Sequence, residues 1–176
     1  MKKTYLLLFL LFTTYTYSQK KEKFKSGVEL TEAQKGSSYN TPKSILFEFS
    51  GNTHLIYFYK DLSKKIKKSF RKSGIKVKFN YNLVGGNFKE DLKEIPKKKH
   101  SSLNFKSLCK IELSNSKHFK NKYADVKKRK QQFNLKINLL EKEKIILFAT
   151  LEVKTFFTIL TQNKEVSKLL LKVLTE

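Results

Sequence analysis

The chain has 176 residues, with 38 Lys and Arg against 15 Asp and Glu, giving a net charge of +23 at pH 7. That balance favours anionic partners, but Arg71 and Arg129 are its only arginines. Arginine is the preferred bidentate donor to phosphate and bases, so its scarcity argues against a specialised nucleic-acid reader. The single cysteine, Cys109, excludes an intramolecular disulfide.

Lys2 and Lys3 precede an apolar run at residues 5–12, "YLLLFLLF". Crossing a bilayer takes about 20 apolar residues, so this run is too short to span one. Thr16 and Ser18 are small residues placed for a cut before Gln19. A positive start, a short apolar core and a small-residue site together describe a secretory signal peptide over residues 1–18. A lipid anchor would need a cysteine just after the run, and Cys109 is far from it. The expected product starts near Gln19, has no transmembrane segment and is periplasmic or secreted. Without Lys2 and Lys3 the charge is still +21. Lys, Asn, Ile and Phe are abundant while Ala, Arg, Gly and Pro are scarce, as in an AT-rich coding sequence. Part of the lysine content therefore follows base composition.

Residues 19–43 are polar, without a sustained period, and are expected to form a flexible arm with at most a short ordered piece. Residues 44–176 are expected to form one domain. "KSILFEFSG" is a short apolar run that reads as a strand. In the next stretch Leu55, Tyr59, Leu62, Ile66 and Phe70 recur at spacings of four and three, the stripe of an amphipathic helix. Asn52 or Thr53 can cap its start and Gly74 can end it in the left-handed conformation. Lys60, Lys64, Lys67, Lys68, Arg71 and Lys72 fall on the opposite face.

"IKVKFNYNL" alternates strictly, with Ile75, Val77, Phe79, Tyr81 and Leu83 on one side. Strand, helix and strand in this order predict a parallel βαβ unit. Gly85 and Gly86 then turn the chain into a basic loop, with one or two helical turns expected within residues 88–94. "SLCKIEL" alternates with Cys109 on the apolar side, where the residue reads as a small buried hydrophobe. "QQFNLKINLL" and "KIILFATLEVKTF" flank a tight turn at Glu141, Lys142 and Glu143, which predicts an antiparallel hairpin. The last helix carries Val166, Leu169, Leu170, Val173 and Leu174 on one face, with Thr161 or Asn163 as its cap.

The order β-α-β, loop, β-β-β-α predicts an α+β two-layer sandwich: a five-stranded mixed sheet with two helices on one face. Lys76, Lys78, Asn80, Asn82, Gln132, Asn134, Lys136 and Asn138 would line the open face, while Phe79, Tyr81 and Phe133 face the core. Single-strand binders of this type expose aromatics on the open face for base stacking, a second argument against specific nucleic-acid recognition.

No catalytic constellation is evident. His54, His100 and His118 fall in three different connections or element starts, without metal-ligand spacing. There is no phosphate loop and no nucleophile elbow, and the acids form no local pair suited to glycoside hydrolysis. No cofactor or metal is expected.

In "SILFEFSGNTHLIYFYKDLSKKIKKSFRKSGIKVKF" and "FNLKINLLEKEKIILFATLEVKTFFTIL…KEVSKLLLKVL", the element order resembles small Gram-negative envelope domains. These are the amino-terminal domain of TolB and the lipopolysaccharide-assembly lipoprotein type. The resemblance covers residues 44–176, implies an envelope location and carries over no functional residue. It departs from the lipoprotein members in lacking an anchoring cysteine.

The expected function is a non-enzymatic, exported, envelope-associated domain that binds a protein or lipid. The alternatives are a small secreted enzyme with a dispersed site and a cationic binder of polyanions or anionic lipid. Candidate contacts to an anionic surface are Lys64, Lys67, Lys68, Arg71, Lys72, Lys97, Lys98, Lys99, Lys127, Lys128, Arg129 and Lys130.

Overall fold

The computed structural model describes residues 25–85, 105–119, 130–156 and 158–176. Among these, six strands form one mixed sheet and two α-helices cover one of its faces. The strands are β1 (Gly27–Lys35), β2 (Ser44–Asn52), β3 (Lys76–Val84), β4 (Ser107–Phe119), β5 (Lys130–Glu141) and β6 (Lys144–Phe156). The helices are α1 (Ile56–Phe70) and α2 (Asn163–Thr175). In space the strands run β1-β6-β5-β4-β2-β3. β2 is parallel to both β3 and β4, and the remaining pairs are antiparallel.

The α+β sheet-and-helices arrangement, the parallel β2-α1-β3 unit and the β5–β6 hairpin all agree with the sequence reading. The strand count does not: there are six strands, not five. The sixth is β1, within the stretch read as a polar arm. Most of its side chains are exposed, and backbone bonds to β6 hold it, from Gly27 opposite Lys154 to Lys35 opposite Leu147. A strand fixed by main-chain bonds at a sheet edge leaves no hydrophobic period to detect.

The core lies between the sheet and the helices. Tyr59, Leu62, Ile66 and Phe70 of α1 are fully buried against Ile45, Phe47 and Phe49 of β2 and their neighbours. Each such side chain contributes about 1.5–3 kcal/mol of gross transfer free energy. Phe79 and Tyr81 of β3 stack on Phe47 and Phe49 with centroid separations of 5.5–6.1 Å. Asn52 accepts the His54 backbone N–H at 2.9 Å, and Gly74 ends the helical segment at φ 74°. Gly74 matches its expected role, whereas Asn52 caps the 3-10 turn Thr53–Leu55 that leads into α1, and α1 itself has no side-chain cap.

Asn163 does not cap α2. Thr158 caps the short 3-10 turn before that helix, its hydroxyl accepting the Leu160 N–H at 3.0 Å. Asn163 is instead fully buried and donates from Nδ2 to the Phe58 carbonyl at 3.2 Å and to Asp61 at 2.9 Å. It fastens α2 to α1. The helix turns predicted within residues 88–94 lie outside the described residues.

Candidate functional site

The helix layer carries an asymmetric charge. On α1 and the turn that follows it, Lys64, Lys67, Lys68, Arg71 and Lys72 are all exposed, because the stripe that buries Tyr59, Leu62 and Ile66 turns them outward. None of the five is in an ion pair with the described residues. The one acid of α1, Asp61, is engaged by Lys65 at 3.7 Å and by Asn163. α2 is the opposite case. Its exposed Lys168 pairs with Glu165 at 2.9 Å and Lys172 pairs with Glu176 at 3.6 Å. Lys164, at the start of α2, is exposed and in no ion pair with the described residues, so α2 pairs two of its three lysines while the five cations of α1 and its following turn stay unpaired. Lys67 and Lys68 in the last turn of α1 also complement the negative end of the helix dipole, which gives them a structural role beside any contact.

Of the other sequence candidates, Lys130 is exposed at the start of β5, opposite Phe119 and Phe156. That places it at the end of the sheet away from Arg71 and Lys72. Lys97, Lys98, Lys99, Lys127, Lys128 and Arg129 lie outside the described residues.

On the open face of the sheet Lys76, Lys78 and Lys136 are exposed, as the alternation predicts. Phe79, Tyr81 and Phe133 belong to the helix side, where Tyr81 meets Ser63 at 2.8 Å and Phe133 packs edge-on against Phe58. The open face also holds something the alternation did not show. Leu46 of β2 lies opposite Leu108 of β4, and Leu108 opposite Leu140 of β5. Leu140 in turn lies opposite Ile145 of β6. This is one apolar row running across four strands. Beside it is a groove of about 540 Å³ lined by Leu46, Leu108, Leu140 and Phe105, with Lys106, Lys110 and Lys142 around it. The Phe105 ring lies under the Lys78 ammonium at 5.5 Å. Glu48, the next open-face residue of β2 after Leu46, is buried and accepts the Asn80 side-chain amide at 3.2 Å.

Each leucine of the row is an apolar residue out of phase with its own strand, near the same end of the sheet. That out-of-phase residue is the only trace in the sequence. β2 is buried on both faces from Ile45 to Phe49, as an internal strand with parallel neighbours often is.

His54 is exposed, His118 lies on β4 opposite Gln131, and His100 is outside the described residues. Among the described residues no three His, Cys, Asp or Glu side chains are grouped to hold a metal ion. Cys109 is fully buried between β2 and β5, and burial pushes its thiol well above the ordinary value. It is the small buried hydrophobe the sequence suggested. No described helix is long and apolar enough to cross a membrane.

No family model matches the sequence, and no curated protein matches it. Among solved structures, a variant of PelC from Paraburkholderia phytofirmans, crystallised as a dodecamer, superposes with a TM-score of 0.54 at 8% identity, over 84% of this chain and 97% of that one. A second crystal form of the PelC dodecamer gives 0.50 at 10% identity, with the same coverage. Lipoprotein GNA1162 from Neisseria meningitidis gives 0.42 at 14% identity, over 74% of this chain and 94% of that one. At such identities the PelC likeness establishes the fold alone. The TolB and lipopolysaccharide-assembly domains are not among these three. This chain shares with PelC a sheet roofed by helices along nearly the whole of that protein.

Proposed function

We propose that this protein is an exported, non-enzymatic domain of the bacterial cell envelope that docks on an anionic envelope surface through the basic face of α1. The observation that carries the reading is the run of five cations along α1 and the turn after it, all exposed and none in an ion pair with the described residues. The apolar face of α1 is consumed by the core, so the contact is electrostatic and made by the folded domain, without insertion of the helix. The leader read at residues 1–18 supports export.

Vesicle co-sedimentation tests it. The mature chain should partition onto phosphatidylglycerol vesicles at low salt, weakly onto phosphatidylcholine, and release as salt screens the field. A basic residue near an anionic bilayer contributes about 1 kcal/mol. Replacing Lys64, Lys67, Lys68, Arg71 and Lys72 with Gln should therefore weaken partitioning by at least about tenfold. Equal binding to both vesicle types, or no effect of the five substitutions, would sink the reading.

A further inference from the structure

We infer that the open face of the sheet holds a second, independent site: the Leu46–Leu108–Leu140 row and its groove take the hydrocarbon chain of a single-chain anionic amphiphile such as a fatty-acid carboxylate. Three features argue for that occupant. The row is continuous across β2, β4 and β5, and neighbouring strands lie about 4.8 Å apart, so it forms an apolar track rather than isolated spots. The groove of about 540 Å³ is of the size that encloses a small organic ligand. Finally, the polar groups beside it favour one sign of charge.

Lys106, Lys110 and Lys142 are exposed and none is in an ion pair with the described residues. Of the two acids that line the groove, Glu48 is buried and already holds the Asn80 amide, which leaves Glu143 as the acid at the exposed rim. An aliphatic track ending among uncompensated ammonium groups matches a chain with a carboxylate head. It matches a neutral chain less well, because the lysines would then contribute nothing. Lys136, Asn134 and Asn138 bound the row along β5, while Phe148 of β6 lies opposite Asn138 and extends the apolar surface beside it.

The site is distinct from the α1 face, which lies on the other side of the sheet, and the two can be tested separately. Dansyl-labelled undecanoic acid titrated into the full chain should show saturable binding to one site. Palmitate should displace the probe about tenfold better than hexadecanol, the margin of a charge-assisted contact. Leu108→Glu places a carboxylate in the track and should abolish probe binding. Leu140→Ser, milder toward the fold, should weaken it while leaving the circular dichroism spectrum unchanged. Joint replacement of Lys106, Lys110 and Lys142 by Gln should erase the preference for palmitate over the alcohol. All of these variants should still sediment with phosphatidylglycerol vesicles, so loss of one activity does not imply loss of the other. No saturable binding, binding indifferent to Leu108→Glu, or equal displacement by acid and alcohol would overturn the proposal.

Discussion

The Tyr59 hydroxyl accepts the backbone N–H of Leu113 at 3.1 Å. The same hydroxyl donates to the Ser50 carbonyl at 2.9 Å. β4 pairs with β2 only as far as Glu112 opposite Ser50, although β2 continues beside β3 to Asn52. Leu113 therefore loses its strand partner on that side, and a side chain from α1 supplies the missing acceptor. A buried N–H without a partner costs about 1–3 kcal/mol. Tyr59→Phe should lower the unfolding free energy by that amount in urea titrations, with little change in the m-value.

The same tyrosine predicts an alkaline limit. Burial pushes the Tyr59 hydroxyl from 10.0 up to about 12, against the opposing effect of its bond to Leu113. The folded state thus favours the neutral form. The stabilisation is complete below pH 10 and is lost as the pH rises toward 12. Lysines titrate in the same range, so the comparison that counts is with Tyr59→Phe, whose stability should fall less steeply between those limits. Parallel curves would mean that Tyr59 ionises freely in the folded protein.

Asn163 and Asp61 predict a helix-pairing defect. In Asn163→Asp, a second carboxylate would face Asp61 in place of the amide that now donates at 2.9 Å, in a fully buried position. The loss should reach about 3–5 kcal/mol where the introduced carboxylate is charged, because it is buried without a cationic partner, and shrink as acid protonates it. Thermal unfolding of the variant at neutral and acidic pH measures this.

The β5–β6 turn offers a stabilising change. Lys142 and Glu143 both have positive φ, 47° and 67°, the geometry of a two-residue turn that prefers Asn-Gly. Glu143→Gly should raise stability by about 0.5–1 kcal/mol, since glycine adopts this conformation without a Cβ penalty. A fall in thermal midpoint would show that the Glu143 side chain contributes more than its backbone costs.

Cys109 should resist alkylation. Its thiol is fully buried and its ionisation is opposed by desolvation. Iodoacetamide should label it only at the rate of global unfolding, and rapid labelling under native conditions would contradict the packing described here.

How much of this was legible beforehand depended on whether the signal was local. The helical stripe of Tyr59, Leu62, Ile66 and Phe70 and the alternation of β3 and β5 are readable because each period is set by backbone geometry within one element. The exposed lysines of α1 follow from the same stripe. β1 was missed because main-chain bonds to β6 hold it, and such bonds leave no mark on side-chain order. Asn163 looked like a cap because capping residues are recognised by type, yet its partners, Phe58 and Asp61, lie more than a hundred positions away.

The sequence alone thus determined the elements, their buried faces and the charge they display, since these depend on neighbours three or four residues apart. Tertiary structure decided what the elements make together. Leu46, Leu108 and Leu140 are each an unremarkable apolar residue in its own strand, and only strand order and register align them into a track. Register between distant strands is a property of the assembled sheet, chosen by the packing of all its side chains at once.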